Sequence, residues 1–351
     1  MRPPGMASAS NRRSGRSAAA TLDSSGSPSA HSPAALWLTL SEFDSEQRAS
    51  VWLKTLSTAE LASLCLAVNG FASSSRPKLV THVLSTHAWM HKYRVLCSLE
   101  KLGVCQRSFE KKAVAWMPKG SAVNIAWDSA ATIVQEESGS AVRVAPGLYL
   151  TCAHCVCHID DPEEDDEAPA ADVVPRVGRL KLLVTSHGEW TVTECIRADA
   201  ASDLALLRTV VSTLPPGAGA SSGRFVHPPA VVRGGAVLAT DDRSRVVCVG
   251  NPSAFDLESE EAGATIEFQP PVFHTSTGRL AGETRADRRA RFGLGPLQHT
   301  AWTYWGHSGA PLIDAQGALV GLHNSWDAGK GTRHGVDAAA IRAFLIAAGL
   351  L

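Results

Sequence analysis

The 351-residue sequence predicts a mainly β protein, in which a small α-helical domain precedes two antiparallel β-barrels and a carboxy-terminal helix. Beyond residue 118, short apolar runs alternate with turns containing Gly, Pro, Asn or Asp, as is typical of antiparallel strands. Between residues 35 and 117, apolar residues recur three and four positions apart, which indicates helices. We therefore expect three parts, at 1–34, 35–117 and 118–351.

Residues 1–34 are rich in Ser, Ala, Gly and Pro and show no periodic apolar pattern. Such a composition buries too little apolar surface to fold, so we predict a disordered segment. Four arginines and one aspartate give it a net charge of +3. Because it is rich in Arg and Ser and nearly free of acid, an organellar transit peptide is the alternative interpretation.

The helical part begins near residue 35. One helix face is indicated by apolar residues at spacings of three and four: Leu61, Leu64, Cys65 and Val68. A second helix is predicted after the serines at 73–75, because Pro77 suits the first turn of a helix. Further helices are predicted at about 42–56 and 93–102.

The segment 58–85 is similar to a SAP-type helix-turn-helix motif, although it lacks a glycine just before Arg76. Members of that family commonly bind DNA, with basic residues near the second helix contacting phosphates. Residues 35–120 carry a net charge of +5 and the chain beyond them −9. The resemblance implies DNA or chromatin contact through 35–120, and a helical module that docks onto protein is the alternative.

The strands beyond residue 118 fall into two groups. The first barrel is predicted from runs at 123–127, 132–136, 141–144, 148–151, 180–185, 190–197 and 204–208. The second barrel is predicted from runs at 237–239, 246–249, 265–268, 312–313 and 318–323. Residues 338–348 indicate the carboxy-terminal helix.

Three polar residues stand at the ends of apolar runs in this β region. Ser308 lies between glycines in the turn GHSGAP, His154 follows an apolar strand, and Asp203 precedes the run Leu-Ala-Leu-Leu. A serine hydroxyl is a weak nucleophile at neutral pH and needs a base, which in turn needs a carboxylate to hold its tautomer. Glycine permits a sharp turn in which the amides of Gly306 and Ser308 would stabilise an oxyanion.

Three motifs carry a resemblance to a known family: TCAHC at 151–155, DLALL at 203–207 and GHSGAP at 306–311. They resemble those of the trypsin-like (chymotrypsin-fold) serine peptidases over about residues 121–351. The resemblance implies two six-stranded antiparallel β-barrels of the chymotrypsin type. It also implies His154 as general base, Asp203 as its orienting carboxylate, Ser308 as nucleophile, and Gly306 with Ser308 as oxyanion amides.

These residues also have structural interpretations. His154 is one of 13 histidines and is compatible with a purely structural position in a barrel, and Asp199 is a rival for the aspartate. We prefer Asp203 because the apolar run follows it directly. The expected function is a serine endopeptidase acting on a protein or peptide, and the alternative is a non-catalytic scaffold that keeps the peptidase fold.

Two further features concern activation and specificity. His307 stands where zymogen-type relatives carry an aspartate that pairs with a newly cut amino terminus. The resemblance therefore implies an enzyme of the HtrA-like branch that is active without such cleavage. It places the substrate pocket at Trp302, Ser325, Trp326 and Asp327. Because Trp302 occupies the pocket base, where an acid would favour Arg or Lys, we expect an apolar pocket.

The eight cysteines bear on compartment and metal binding. Secreted relatives pair the cysteine after the catalytic histidine with one on a preceding strand, but residues 106–151 contain no partner for Cys155. We therefore expect reduced thiols and an intracellular protein, in the cytoplasm or nucleus. The run from Cys152 to His158 also suggests zinc, but no second Cys-x2-Cys exists, so no metal and no cofactor are expected.

An acidic run at 160–172 follows the histidine motif, so we expect it near the rim of the site. A solvated loop is the ordinary interpretation of such a run, and attraction of basic substrates is the alternative. No apolar run is long enough to cross a bilayer, and no membrane partner is expected.

Overall fold

The structure is a computed structural model that describes residues 31–69, 71–101, 122–135, 139–156, 177–186, 188–213, 231–232, 245–252, 255–256, 266–267, 273–281, 297–327 and 332–351. Three sequence predictions lie outside these residues. They are the disorder of residues 1–30, the acidic run at 160–172 and the strand at 237–239.

The described residues form helices and strands in an order that changes once, from mostly helix to mostly strand. The helices are α1 (Pro33–Leu40), α2 (Glu46–Leu53), α3 (Thr58–Asn69), α4 (Arg76–Lys101), α5 (Ala122–Ser129) and α6 (Ala338–Ala347). The strands up to the middle of the chain are β1 (Ala130–Ile133), β2 (Ser140–Ala145), β3 (Leu148–Thr151), β4 (Leu180–Thr185), β5 (Trp190–Asp199), β6 (Leu204–Ser212) and β7 (Val231–Val232). The later strands are β8 (Arg245–Gly250), β9 (Phe255–Asp256), β10 (Ile266–Glu267), β11 (His274–Ala281), β12 (Leu297–His299), β13 (Pro311–Asp314), β14 (Ala318–Asp327) and β15 (Thr332–Asp337).

The first barrel is a closed antiparallel ring in the order β1, β2, β3, β6, β5, β4. Its strands are apolar and buried over most of their length; all six residues of β4 are buried. Closure removes the unpaired edges that an open sheet would expose. The ring therefore has a continuous interior packed with aliphatic side chains.

The second barrel contains six strands in the order β13, β8, β11, β12, β15, β14, and pairing of β13 with β14 closes it. The short β7 adds to β14 in parallel, and β9 pairs with β10 outside the ring. The two six-stranded antiparallel barrels and the terminal helix expected from the sequence are thereby confirmed.

The strand prediction at 123–127 is wrong, because this segment is helix α5. Val123, Ala126 and Trp127 are spaced three and four apart, and that face packs on the second barrel near β8 and β13. A run of five apolar and small residues suits either a strand or one helix face, and periodicity alone does not separate the two.

Sequence reasoning also missed β7, β9, β11, β12 and β15. The inward positions of two of these strands are polar: His274 and Ser276 in β11 and His299 in β12 are all buried. The alternation of apolar and polar residues that marks a half-buried strand is therefore absent from their sequences.

The helices differ from the prediction at two points. α1 begins at Pro33 behind the cap Ser32, so residues 33 and 34, which fall in the segment predicted to be disordered, are helical. The helix predicted at 93–102 is the last part of α4, because no Gly or Pro interrupts the chain after Pro77.

The amino-terminal helices pack directly against the first barrel. α1 contacts β5 and β6, α3 contacts β4, and one apolar cluster includes side chains of the helices and of strands in both barrels. The Arg179 guanidinium of the barrel donates to the Leu66 carbonyl of α3 at 3.4 Å. The domain limits at 34/35 and 117/118 stay predictions.

The SAP-like segment forms helices α3 and α4, which follow each other closely in sequence and contact each other. Arg76, at the start of α4, donates to the carbonyls of Leu53 and Lys54 at 3.2 and 3.1 Å. This guanidinium therefore caps the end of α2, and DNA contact through 35–120 stays a prediction. Within the described residues, no helix combines the length and apolar character needed to cross a membrane.

Candidate active site

His154 and Asp203 meet at one end of the first barrel. β3 and β6 are antiparallel neighbours with Thr151 opposite Ala205, so the end of β3 and the start of β6 lie side by side. His154 lies in a short 3-10 turn after β3, and Asp203 immediately precedes β6. The Asp203 carboxylate oxygens lie 3.0 and 2.9 Å from His154 Nδ1, and Oδ1 also accepts from the His154 amide at 3.1 Å.

Asp203 differs from the rival Asp199 in what it contacts. Asp203 has a left-handed backbone with φ of 52°, which Asp tolerates better than most residues. Asp199 accepts from the Ala201 amide at 3.1 Å and from the Ser202 hydroxyl at 2.6 Å, so it closes the preceding turn. Asp203 is the aspartate that reaches the imidazole.

Three influences act on the pKa of His154, one lowering it and two raising it. Burial lowers the pKa of this imidazole, but the neighbouring Cys155 sulfur and the Asp203 carboxylate raise it, and the net pKa shift is upward. The side chain is 45% exposed, so solvent screens these charges in part. Because Nδ1 faces the carboxylate, Nε2 is the ring nitrogen that remains to accept or donate a proton in a reaction.

Ser308 lies in the turn before β13, at the facing end of the second barrel. Its carbonyl accepts from the Ser140 amide at 2.8 Å and from the Cys155 thiol at 3.6 Å. The Ser308 backbone therefore lies beside the residue that follows His154. In the described part of the chain, no hydrogen bond joins the Ser308 hydroxyl to His154, and such contacts commonly tighten only when substrate binds.

The turn around Ser308 leaves two amides unused. Gly306 and Gly309 have φ of 90° and 88°, which suit glycine. The amides of His307, Gly309 and Ala310 all donate to backbone carbonyls. Those of Gly306 and Ser308 donate to no group among the described residues, so they are available to a developing oxyanion.

Trp302, the predicted pocket base, is held by aromatic neighbours. Its ring is parallel to Tyr304 with centroids 5.9 Å apart and meets His307 edge-on at 5.6 Å. Its carbonyl accepts from the Ser276 hydroxyl at 2.6 Å. The nearby Trp305 is 56% exposed and lies outside this stack, so it does not share the apolar environment of Trp302 and Tyr304.

The other predicted pocket residues form the end of β14. Ser325, Trp326 and Asp327 are consecutive there, and Trp326 is 43% exposed. Trp326 pairs with Arg333 of β15, whose Nε donates to the Thr303 carbonyl at 3.5 Å. β15 therefore connects this strand to the segment that carries Trp302.

Comparison with protein-family models identifies the domain that contains these residues. The model described as the trypsin-like peptidase domain matches residues 139–322, which is more than half of the chain. The chain belongs to the trypsin-like peptidase family. The family expected from the three motifs is thus confirmed, whereas the match lies outside 58–85 and gives the SAP-like interpretation no support.

Solved structures similar to this trypsin-like peptidase include the Rv3671c protease in an inactive form, with 17% sequence identity and a TM-score of 0.42. That match covers 64% of this chain and 91% of the other. The active form of the same protease, from M. tuberculosis, shows 16% identity and a TM-score of 0.42, covering 68% of this chain and 92% of the other. No curated protein sequence matches the chain significantly.

Asn324 is a site residue of this peptidase domain that sequence reasoning missed. It follows His323 in β14, and its Nδ2 donates to Asp203 Oδ2 at 3.4 Å. The amide thus connects the second barrel to the carboxylate that faces His154. The signal in the sequence is its position directly after the strand predicted at 318–323.

His307 is buried and neutral in the turn that precedes Ser308. Its Nδ1 accepts from the Tyr304 amide at 3.1 Å, and burial, reinforced by His274, lowers its pKa to about 3. Gly250 makes room for the ring, because a Cβ there would lie 2.6 Å from His307 Cδ2. A neutral, enclosed imidazole at this position cannot form an ion pair with a newly cut amino terminus, as an aspartate would.

A Cys152 thiol lies beside the His154–Asp203 pair, and ligand atoms of the three residues lie within 4.8 Å of one another. The Cys152 Sγ donates to the His323 carbonyl at 3.4 Å, and burial raises its pKa well above the ordinary value. A metal ion prefers the thiolate, and a structural zinc site takes four ligands. The cluster therefore fits a thiol packed behind the imidazole better than a zinc site.

Buried histidines predict that acid destabilises the second barrel. Burial lowers the pKa of His274 to about 4 and of His299 and His307 to about 3, and it also lowers that of His323. Their folded pKa values lie below that of an unfolded histidine, so the stabilisation is present above about pH 6.5 and is lost as the pH falls towards 3. We expect the melting temperature to fall steadily from pH 7 to pH 5, as measured by circular dichroism.

The same titration tests the histidine pair directly. His299 Nε2 lies 3.0 Å from His323 Nδ1 inside the barrel. In His299→Gln, which removes one titrating ring, we expect a shallower fall of melting temperature with acid. A wild-type melting temperature that stays constant between pH 7 and pH 5 would contradict this assignment.

Proposed function

We propose that the chain is a serine endopeptidase that hydrolyses peptide bonds through Ser308, His154 and Asp203. The observation that carries the proposal is the Asp203 carboxylate on His154 Nδ1, beside a serine whose turn leaves the Gly306 and Ser308 amides unused. Membership of the trypsin-like peptidase family supports the same chemistry.

In the proposed reaction, Ser308 attacks the carbonyl carbon of the peptide bond while His154 Nε2 accepts the hydroxyl proton. The amides of Gly306 and Ser308 donate to the oxyanion of the tetrahedral intermediate. Asp203 stabilises the imidazolium, consistent with its upward effect on the pKa of His154. The imidazolium protonates the leaving amine, and an acyl-enzyme remains. Water activated by His154 then releases the acid and restores the hydroxyl.

The proposal includes activity without cleavage of a pro-segment, because His307 is buried and neutral. It also includes an apolar substrate pocket formed by Trp302 with Ser325, Trp326 and Asp327. Cleavage of proteome-derived peptides tests the pocket. We expect enrichment of apolar residues before the cut bond, and enrichment of Arg or Lys would contradict this pocket.

We further propose that the enzyme works inside the cell, in the cytoplasm or nucleus. The five described cysteine side chains are all free thiols, and Cys155 donates to the Ser308 carbonyl instead of forming a disulfide. Fractionation of cells expressing a tagged full-length chain tests this assignment. Recovery of the protein from an organelle would instead support import directed by residues 1–34.

A fluorophosphonate probe tests the nucleophile, because it reacts covalently with an activated serine hydroxyl. We expect the purified wild type to be labelled and Ser308→Ala to be unlabelled, with no loss of folding. Ser129→Ala is a matched control, since the Ser129 hydroxyl donates to the Ile125 carbonyl at the end of α5. Absence of labelling in folded wild type would favour the non-catalytic scaffold.

A further inference from the structure

Ser140, the first residue of β2, contacts the catalytic turn through two peptide groups. Its amide donates to the Ser308 carbonyl at 2.8 Å, and its hydroxyl donates to the Gly306 carbonyl at 2.8 Å. Its own carbonyl accepts from the Thr151 hydroxyl at 2.7 Å. Ser140 is fully buried, so these bonds are protected from water.

These two bonds fix the peptides on either side of the unused Ser308 amide. The peptides 306–307 and 308–309 are anchored through their carbonyls, and the peptide carrying the Ser308 amide lies between them. Gly306 has φ of 90° and no Cβ, so its own backbone preferences do not define the orientation of its peptide. The Ser140 hydroxyl, together with the hydrogen bond from the His307 amide to the Tyr304 carbonyl, restrains the peptide that follows Gly306.

The Ser140 hydroxyl is itself held from the other side. It accepts from the Asn251 amide at 2.9 Å, just beyond β8, which directs its proton towards Gly306. The Asn251 side-chain oxygen accepts from the Tyr93 hydroxyl at 3.1 Å. Tyr93 belongs to α4, and both residues are buried. A chain of hydrogen bonds therefore connects the amino-terminal helices to the catalytic turn.

We propose that Ser140 is a positioning residue for the oxyanion turn and that Tyr93, acting through Asn251 and Ser140, makes the reactivity of Ser308 depend on helix α4. This proposal rests on the serine endopeptidase function proposed above. Helix α4 reaches the turn only through Asn251 and Ser140. The helical part consequently supports catalysis as well as packing on the first barrel.

The test compares Ser140→Ala, Tyr93→Phe and the double variant in the full-length chain. We expect Ser140→Ala to lower the fluorophosphonate labelling rate and kcat about tenfold with little change in KM, which corresponds to one buried hydrogen bond. We expect Tyr93→Phe to lower them about threefold. Because Tyr93 acts through Ser140, the double variant should react as slowly as Ser140→Ala and no slower.

Thr193→Val is the matched control for a lost buried hydroxyl. Thr193 in β5 donates to the Lys181 carbonyl at 3.0 Å and is fully buried, yet it belongs to the sheet of the first barrel. It should lower the melting temperature without lowering kcat. All rates are measured well below the lowest melting temperature.

The outcomes separate this proposal from the proposed function. If wild type is not labelled, the peptidase function itself fails. If wild type is labelled but Ser140→Ala reacts at the wild-type rate, or loses only stability as Thr193→Val does, the positioning role is overturned. If Tyr93→Phe is unchanged, or its effect simply multiplies with that of Ser140→Ala, the connection to α4 is overturned.

Discussion

Replacing Asp203 with Asn should lower peptide hydrolysis about 10⁴-fold while leaving the fold intact. The carboxylate oxygens lie 3.0 and 2.9 Å from His154 Nδ1, where they select the tautomer whose Nε2 accepts a proton. An amide at this position no longer selects that tautomer and no longer stabilises the imidazolium. Asn also tolerates the left-handed φ of 52°, so the substitution removes the charge without adding backbone strain.

The pH dependence of the same variant provides a second measurement. His154 must be neutral to act as base, and its pKa is raised by Cys155 and Asp203, so activity should increase as the pH rises through that pKa. Loss of the Asp203 charge should move the midpoint of this rise to lower pH. Initial rates between pH 5 and pH 10 on a peptide identified by cleavage profiling measure the shift.

Asp199→Asn is the matched control, because Asp199 lies in the same turn and contacts Ala201 and Ser202 instead of the imidazole. We expect its activity to stay within threefold of wild type. An equal loss in both variants would mean that the turn as a whole, and not the carboxylate on His154, supports activity. An Asp203→Asn enzyme with nearly wild-type kcat would refute the proposed role of Asp203.

The residues proposed for catalysis were predictable because each adjoins an apolar strand. His154 follows β3 and Asp203 precedes β6, and an antiparallel pairing of those strands brings the two together. Ser308 stands before β13 in a glycine-rich turn. Local sequence pattern, together with chain order, therefore carries most of the information about this part of the site.

The supporting residues were not predictable from pattern, since they act over long separations in sequence. Ser140 is separated from Gly306 by 166 positions and from Asn251 by 111, and Tyr93 is separated from Asn251 by 158. Each resembles an ordinary strand, loop or helix residue in its local context. Only the packing of α4 and the two barrels reveals that their polar groups meet.

The second barrel was less predictable than the first for a related reason. Strands β11 and β12 present buried histidines inside the ring, so hydropathy does not distinguish their inward face from the outward one. Hydrogen bonds such as that between His299 and His323 replace aliphatic contacts inside the ring. The first barrel, with an aliphatic interior, shows the expected runs, and five of its six strands begin within one residue of their predicted starts.

Gly309→Ala should be the most damaging single-methyl substitution in the turn. The added Cβ would collide with the Ser140 carbonyl oxygen and lie 2.5 Å from Thr151 Oγ1; the first is a backbone atom, and the second is held by its hydrogen bond to the same carbonyl. The residue also has φ of 88°, which costs an alanine about 1–2 kcal/mol. Overpacking adds about 1–3 kcal/mol, and the strain acts on the residue that anchors Gly306 and Ser308.

Gly178→Ala separates the cost of backbone strain from the cost of the steric contact with Ser140 and Thr151. Gly178 has φ of 93°, close to that of Gly309, but a Cβ there meets no atom within 4 Å, so this control reports backbone strain alone. In urea unfolding, we expect Gly309→Ala to lose more free energy of unfolding than Gly178→Ala, and only Gly309→Ala to slow fluorophosphonate labelling by at least about tenfold. Equal losses in the two variants, with labelling preserved in both, would mean that Ser140 and the turn accommodate the methyl group. The close contact between Gly309 and Ser140 would then have no bearing on the reactivity of Ser308.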